Sequence, residues 1–328
     1  MPPVLRRSSL VLFVWVVSSL ASTVAFAQAP AFLGSWGSAG TGNGQFGVPA
    51  PPAVAVDASA AVYVVDTGND RVQKFMPDGT YVTQWSVSSV SPGGAQAIAL
   101  DNAGNVYVAC SGPSVVEVYS SNGGFITRWG TPGSGDGQFG NNLYGLAVDA
   151  SSRVYVADMN NNRIQVFSTS GAFLTKWGVA GTGPGQFDWP WSVGTDGAGN
   201  VFVMDSNNHR VQKFAPDGTF LAQWGSSGAD PGQMGGSCGM ALDLAGNVYL
   251  ADPYNNRVEV FSGAGAFLTT WGTRGSAPGQ MFSPEGVAVD GIGNVYVADS
   301  GNFRIDKFGS SPTPTRNKSW GQVKADSR

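Results

Sequence analysis

One pattern recurs along the chain and constrains it more than any other. Its clearest copy runs Phe282-Ser-Pro-Glu-Gly-Val-Ala-Val-Asp290, Gly-Ile-Gly-Asn-Val-Tyr-Val-Ala-Asp299, Ser-Gly-Asn-Phe-Arg304-Ile-Asp-Lys-Phe308. The place of Asp299 is taken in earlier copies by Asp252, Asp205, Asp158, Cys110 and Asp66, at intervals of 47, 47, 47, 48 and 44 residues. A fixed period in this range marks a solenoid, a propeller or another array. Each unit is too small to bury its apolar face alone, so neighbours must stack.

The copy that starts near Leu143 shows what one unit builds. Leu146-Ala-Val-Asp149, Val154-Tyr-Val-Ala-Asp158, Arg163-Ile-Gln-Val-Phe167 and Ala172-Phe-Leu-Thr-Lys-Trp177 are short β-rich runs. Turn residues separate them, which reads as a four-stranded antiparallel meander. Sustained helical periodicity is absent outside the N-terminus. The spacing predicts an all-β protein: a six-bladed β-propeller of four-stranded antiparallel blades. An open β-solenoid is the rival and would need capping repeats at both ends.

The last unit stops at Phe308 without a fourth run, and Ala31-Phe-Leu-Gly-Ser-Trp36 matches the fourth run of the other units. The last blade is therefore expected to be closed by the N-terminal strand. Trp320, sixteen residues after Arg304, competes for that slot, but the interval is fourteen in the other Arg-bearing blades.

These motifs resemble the NHL repeat, over about residues 31–308. The resemblance implies the propeller fold. It leaves function wide: such propellers serve as RNA- or protein-binding domains, as outer sensor domains of bacterial kinases, and as the scaffold of a zinc-dependent peptide-amidating lyase. Function has to be argued from the site.

Residues 1–27 read as a secretory signal peptide. Arg6 and Arg7 precede the apolar run from Leu10 to Val17, and Ala25-Phe-Ala27 is a small-x-small cleavage site. The run is too short to span a bilayer. The propeller then covers 31–308, and 309–328 form a flexible polar tail. A secreted or periplasmic monomer without a membrane span is expected. Without residues 1–27 the chain has 16 basic and 22 acidic residues, net −6; without the tail after Phe308 it has 12 and 21, net −9. That charge disfavours a phosphate backbone, so no nucleic-acid partner is expected. Cys110 and Cys238 fall in opposite blades, too far apart for a bridge, and are expected as free thiols.

Five blades carry Asp-x-x-Asn-x-Arg, giving the pairs Asp66 and Arg71, Asp158 and Arg163, Asp205 and Arg210, Asp252 and Arg257, and Asp299 and Arg304. Blade two loses both partners at once, which argues that they form structural ion pairs: a lone survivor would leave a buried charge unpaired. Gly68, Asn160, Asn207 and Gly301 within these loops suit a left-handed turn residue. The six fourth-run tryptophans are expected to pack between blades.

Scaffold positions read alike in a repeat protein, and site positions diverge. Five residues before the Asp that ends each first run stand Pro52, Gln96, Tyr144, Trp191, Cys238 and Glu285. These should ring the channel mouth on the longer-loop face. Gln96, Tyr144, Trp189, Trp191 and Glu285 are the candidate ligand-binding set: aromatics with a few polar groups, fitted to a protein, peptide or glycan ligand. Trp189-Pro-Trp191 reads equally as a plug of the channel or a cover over a blade edge. The single histidine, His209, cannot make a three-His zinc site, and it is expected to be an exposed loop residue. No catalytic residue, metal or cofactor is assigned. A Ca2+-dependent sugar-lactonase-like hydrolase or lyase is the alternative, and it needs several acids at the axis.

Overall fold

The computed structural model describes residues 28–50, 52–87, 94–236 and 239–309. The signal-like segment, Cys238, Trp320 and the tail from Ser310 lie outside them. Six four-stranded antiparallel sheets follow one another around the axis. In every blade the second strand is central and almost wholly buried, as in Val154-Tyr-Val-Ala of the third blade. The β-branched residues here suit a sheet covered on both faces. Among the described residues no helix is long and apolar enough to cross a membrane.

The N-terminal strand closes the ring. Ala31–Trp36 pairs antiparallel with Arg304–Gly309, from Ala31 opposite Gly309 to Trp36 opposite Ile305, with a bulge between Phe32 and Gly34. The sixth blade is thus built from both ends of the described chain.

Blades adhere through aromatic rings. Each fourth-strand tryptophan meets the aromatic residue of the next blade's third strand: Trp36 on Phe75, Trp85 on Tyr119, Trp129 on Phe167, Trp177 on Phe214, Trp224 on Phe261 and Trp271 on Phe308. Ring centroids lie 5.7 to 6.4 Å apart, a normal tilted contact. The series returns to its start, so every blade has two neighbours. The Asp-Gly turns add to it. A Cβ on Gly79 would fall 2.7 Å from the Trp36 indole, so only glycine lets that turn lie on the ring.

The Asp–Arg pairs do more than neutralise each other. In the third blade Arg163 Nε donates to Asp158 Oδ2 at 2.8 Å, while its terminal nitrogens donate to the carbonyls of Ser134, Gly135 and Gln138. Asp158 Oδ1 accepts from Gly140 N, and Gln165 Nε2 donates to both Gln138 O and Asp158 Oδ2. Those carbonyls belong to the Gly-rich link that enters the blade. The pair is a clamp that gives the carbonyls of the link their hydrogen-bond partners. Arg71, Arg210 and Arg304 do the same, with ion pairs of 2.6, 2.8 and 2.9 Å to Asp66, Asp205 and Asp299. The link into blade two lacks the Gly-Gln-Phe or Gly-Gln-Met of the others, and the joint loss of Asp and Arg in that blade goes with it.

Three readings change. The Asp252–Arg257 ion pair is not formed. Arg257 pairs instead with Glu259 at 3.1 Å, and Asp252 accepts from Gly235 N and Asn255. Glu259 sits where blades one, three and four carry Gln73, Gln165 and Gln212, and it turns the guanidinium toward itself. Second, the left-handed residue of these loops is the one before Arg: Asp70, Asn162, His209, Asn256 and Phe303 have φ of 49° to 55°. Gly68 serves a close approach instead, since a Cβ there would meet Val48 N at 2.3 Å. Third, His209 is half-buried, with Nδ1 3.2 Å from Met234 O, rather than exposed. Cys110 is a buried free thiol.

Two measurements check this account. Trp36→Ala removes the contact that joins the last blade to the first, and should lower stability by about 3 kcal/mol in a reversible melt; an unchanged melting temperature would show that ring closure does not depend on it. Glu259 Oε2 is buried and has no hydrogen-bond donor. Burial pushes its pKa up to about 7, against the pull of Gly232 N–H and Arg257. A raised carboxyl pKa contributes stability in full below about 4.5 and loses it as pH rises through about 7. Glu259→Gln should therefore leave stability at pH 4.5 nearly unchanged and raise it at pH 8 by ~1–3 kcal/mol. Equal effects at both pH values would show that the carboxyl is not protonated in the fold.

Candidate functional site

The divergent residues meet on the axis, and the backbone explains how. In Ala95–Leu100, Leu143–Val148, Pro190–Thr195 and Pro284–Val289 the pairing with the second strand skips one residue. The skipped residues are Gln96, Tyr144, Trp191 and Glu285. Each is a β-bulge, the device that re-aims a side chain out of a regular sheet. The first strands of blades one and five, Ala53–Val56 and Gly239–Leu242, start one residue after the corresponding positions and pair without a skip.

Small residues follow each bulge and draw the blades together. A Cβ on Gly239 would fall 2.1 Å from Glu285 O, and one on Gly286 would fall 2.7 Å from Pro52 O. This close approach narrows the axis below the mouth. An axial cavity of about 60 Å³ remains, lined by Pro52, Gln96, Tyr144, Trp191, Met240 and Glu285 among others. An open recess of about 310 Å³ adjoins it, bordered by Trp191, Pro253, Tyr254, Ser283 and Glu285. Tyr254 and Ser283 belong to the longer loops, so the recess opens on that face.

Tyr144 and Trp191 stack across the blade boundary, centroids 4.1 Å apart and planes 12° from parallel. The inter-blade contacts in the core are tilted or edge-on; this parallel pair is a different kind of surface. Trp191 also borders the recess. Its strand is set by an unusual turn: Trp189 has φ 60° before Pro190, and Asn162 Oδ1 accepts from Trp189 N at 3.0 Å. Ser283 before Pro284 repeats the device, with φ 50° and Asn256 Oδ1 accepting from Ser283 N at 3.0 Å. Left-handed backbone before proline is costly and persists only when neighbours hold it. Here it is held at the two strands that carry Trp191 and Glu285.

Glu285 is half-buried, and burial alone pushes its pKa up to about 7. No cation offsets that burial. Burial first, then Glu285, raises the Tyr144 hydroxyl pKa, so Tyr144 stays neutral. Glu285 is the sole charged residue among those lining the cavity and the recess. Among the described residues no cluster of three His, Cys, Asp or Glu is placed to hold a metal ion.

Of the expected set, Gln96, Tyr144, Trp191 and Glu285 share the mouth. Trp189 does not: it is 48% exposed and lines neither the cavity nor the recess. Its left-handed backbone points the chain so that Trp191, two residues on, takes the mouth. Tyr254 and Ser283 were missed. Tyr254 had a signal, since its slot holds Gly or Asn in the other clamp loops. Ser283 had none beyond standing before Pro284.

Comparison with known proteins agrees with the fold. The NHL repeat family matches residues 187–214 and 283–308, and a family described as a 6-bladed beta-propeller matches 146–188. No curated protein matches the chain in sequence. A solved protein of unknown function from Bacteroides thetaiotaomicron is similar, with 20% identity over 86% of this chain and 70% of that one, TM-score 0.60. Virginiamycin B lyase from Staphylococcus aureus is similar at 13% identity over 80% and 96%, TM-score 0.58. Kuenenia stuttgartiensis hydrazine synthase gives 13% over 80% and 96%, TM-score 0.57. At these identities the likeness extends to the fold alone. The chain is a six-bladed β-propeller carrying NHL repeats.

Proposed function

We propose that this protein is an exported binding module that takes part of a protein, peptide or glycan ligand at the axial mouth of its longer-loop face. One observation carries the reading. In a chain whose repeats are otherwise alike, four residues that differ between repeats are placed on bulges and aimed at one cavity. A bulge turns the skipped side chain out of the regular ladder, here toward the axis. The stacked Tyr144 and Trp191 offer a rigid apolar face, and Gln96, Ser283 and Glu285 offer orienting polar groups, the usual composition of a ligand site.

The Ca2+-dependent hydrolase is not adopted. Ca2+ takes six to eight oxygen ligands, and the described mouth offers one carboxylate. Export rests on the signal-type sequence of residues 1–27.

Thermal shift of the chain from Gln28, against glycan and peptide panels, tests the reading. A ligand at ~100 times its dissociation constant adds about 2.7 kcal/mol of stability. Trp191→Ala should melt near the wild type without ligand and lose the shift with it. A shift retained in Trp191→Ala would move the site away from the mouth.

A further inference from the structure

We infer that the mouth selects a primary ammonium group on a flexible alkyl stem, the chemistry of a lysine side chain. The inference rests on the mouth being the binding site. Three features of the site carry it.

The first is charge. Glu285 is the single charged side chain on the described walls of both cavity and recess, and it lies at the junction of the two. A carboxylate taken partly from water without a cation is incomplete: its cost is recovered when a counter-charge arrives. The clamp acids differ in this respect, since each of the four salt-bridged aspartates, and Glu259 as well, has an arginine against it.

The second is the kind of cation. A hard metal ion wants many oxygens. The residues that line the site with Glu285 are instead Tyr144, Trp191, Tyr254, Pro253 and Met240, with Gln96 and Ser283 as neutral polar groups. Aromatic faces beside one carboxylate attract an organic cation, through the ring quadrupole and a charge-assisted hydrogen bond together. Ser283, at the recess, is placed to take a further N–H.

The third is shape. The recess of about 310 Å³ is wide and shallow, whereas the cavity beneath holds about 60 Å³. The smaller space is roughly that of two waters in the liquid. It takes a head group at the end of a chain and excludes a sugar ring. Glu285 borders both spaces, so an ammonium that reaches it leaves its stem beside Trp191 and Tyr254.

The titration of Glu285 gives the test its direction. No other charged group lines the described walls; the titratable neighbours there are Tyr144 and Tyr254, and burial with Glu285 raises the Tyr144 hydroxyl so that it stays neutral. With a pKa of about 7, the carboxyl is ionised at pH 8 and protonated at pH 5. A lysine ammonium remains charged throughout, its ordinary pKa being about 10.4. Binding therefore needs ionised Glu285 and should weaken about tenfold per pH unit below 7.

Calorimetric titration of the chain from Gln28 with Nα-acetyl-lysine amide decides the matter, with Nα-acetyl-norleucine amide as the uncharged isostere and glucosamine as a ring-borne amine. The lysine probe should bind at least tenfold tighter than the norleucine probe at pH 8. It should weaken on the order of 100-fold by pH 5, with proton release measurable at pH 6. Glu285→Gln should abolish both the preference and the pH dependence, while Glu285→Asp keeps the preference and so guards against a folding artefact. Equal binding of lysine and norleucine probes, both weakened by Trp191→Ala, would overturn the ammonium and leave the mouth as the site. Lysine binding indifferent to Trp191→Ala and Glu285→Gln would overturn both readings. Glucosamine binding tighter than the lysine probe would overturn the alkyl stem.

Discussion

No blade of this protein can stand alone, and that constraint governs the rest. Each four-stranded sheet has two apolar faces and covers them only with its neighbours. The covering is done by the tryptophan of one fourth strand against the ring on the next third strand, repeated from Trp36 on Phe75 round to Trp271 on Phe308. A series of this kind leaves two raw faces unless it closes. Pairing Ala31–Trp36 with Arg304–Gly309 removes them and ties the first described strand to the last. The close packing of first strands at the axis, and hence the mouth, exists because the ring is closed.

A second interaction locks what the aromatic contacts bring together. The links between blades are rich in glycine and lie outside the regular ladders, so their carbonyls take partners from side chains. The clamp arginine supplies them, and in blades one, three, four and six the aspartate holds the arginine. Blade two shows the logic by exception: its entering link is different, and Cys110 and Val115 stand where the charged pair would be. Blades five and six vary the clamp differently. Glu259 and Asp306 take the glutamine position, and burial raises both to about 7, with Arg304 opposing and Asp299 adding to the shift of Asp306. In blade six Asp299 and Asp306 then share Arg304, and only one of the two can be ionised comfortably.

The mouth is where the repeat stops being a repeat. Bulges at Gln96, Tyr144, Trp191 and Glu285 break the regular pairing at one level of the ring. That these residues form a set was legible from their divergence at a fixed offset in the sequence. That they sit on bulges was not, since pairing register depends on the partner strand. Trp189 was grouped with Trp191 because they are neighbours in sequence; the left-handed turn before Pro190 sends them to different places. Tyr254 comes from a loop of blade five and meets Ser283 and Glu285 of blade six only where the two blades pack together.

The sequence by itself determined the blade count, the four-stranded unit, the closing strand, the six packing tryptophans and the existence of the clamp residues. Periodicity suffices for these, because each is a local pattern multiplied by repetition. Only the tertiary structure decided which carboxylate Arg257 pairs with, what the clamps hold, and which side chains share the mouth. Those depend on distances between atoms far apart in the chain, where a single exchange of glutamine for glutamate redirects a guanidinium. The partial burial that raises the Glu285 pKa belongs to the same class: it is a property of the closed ring, and no stretch of sequence contains it.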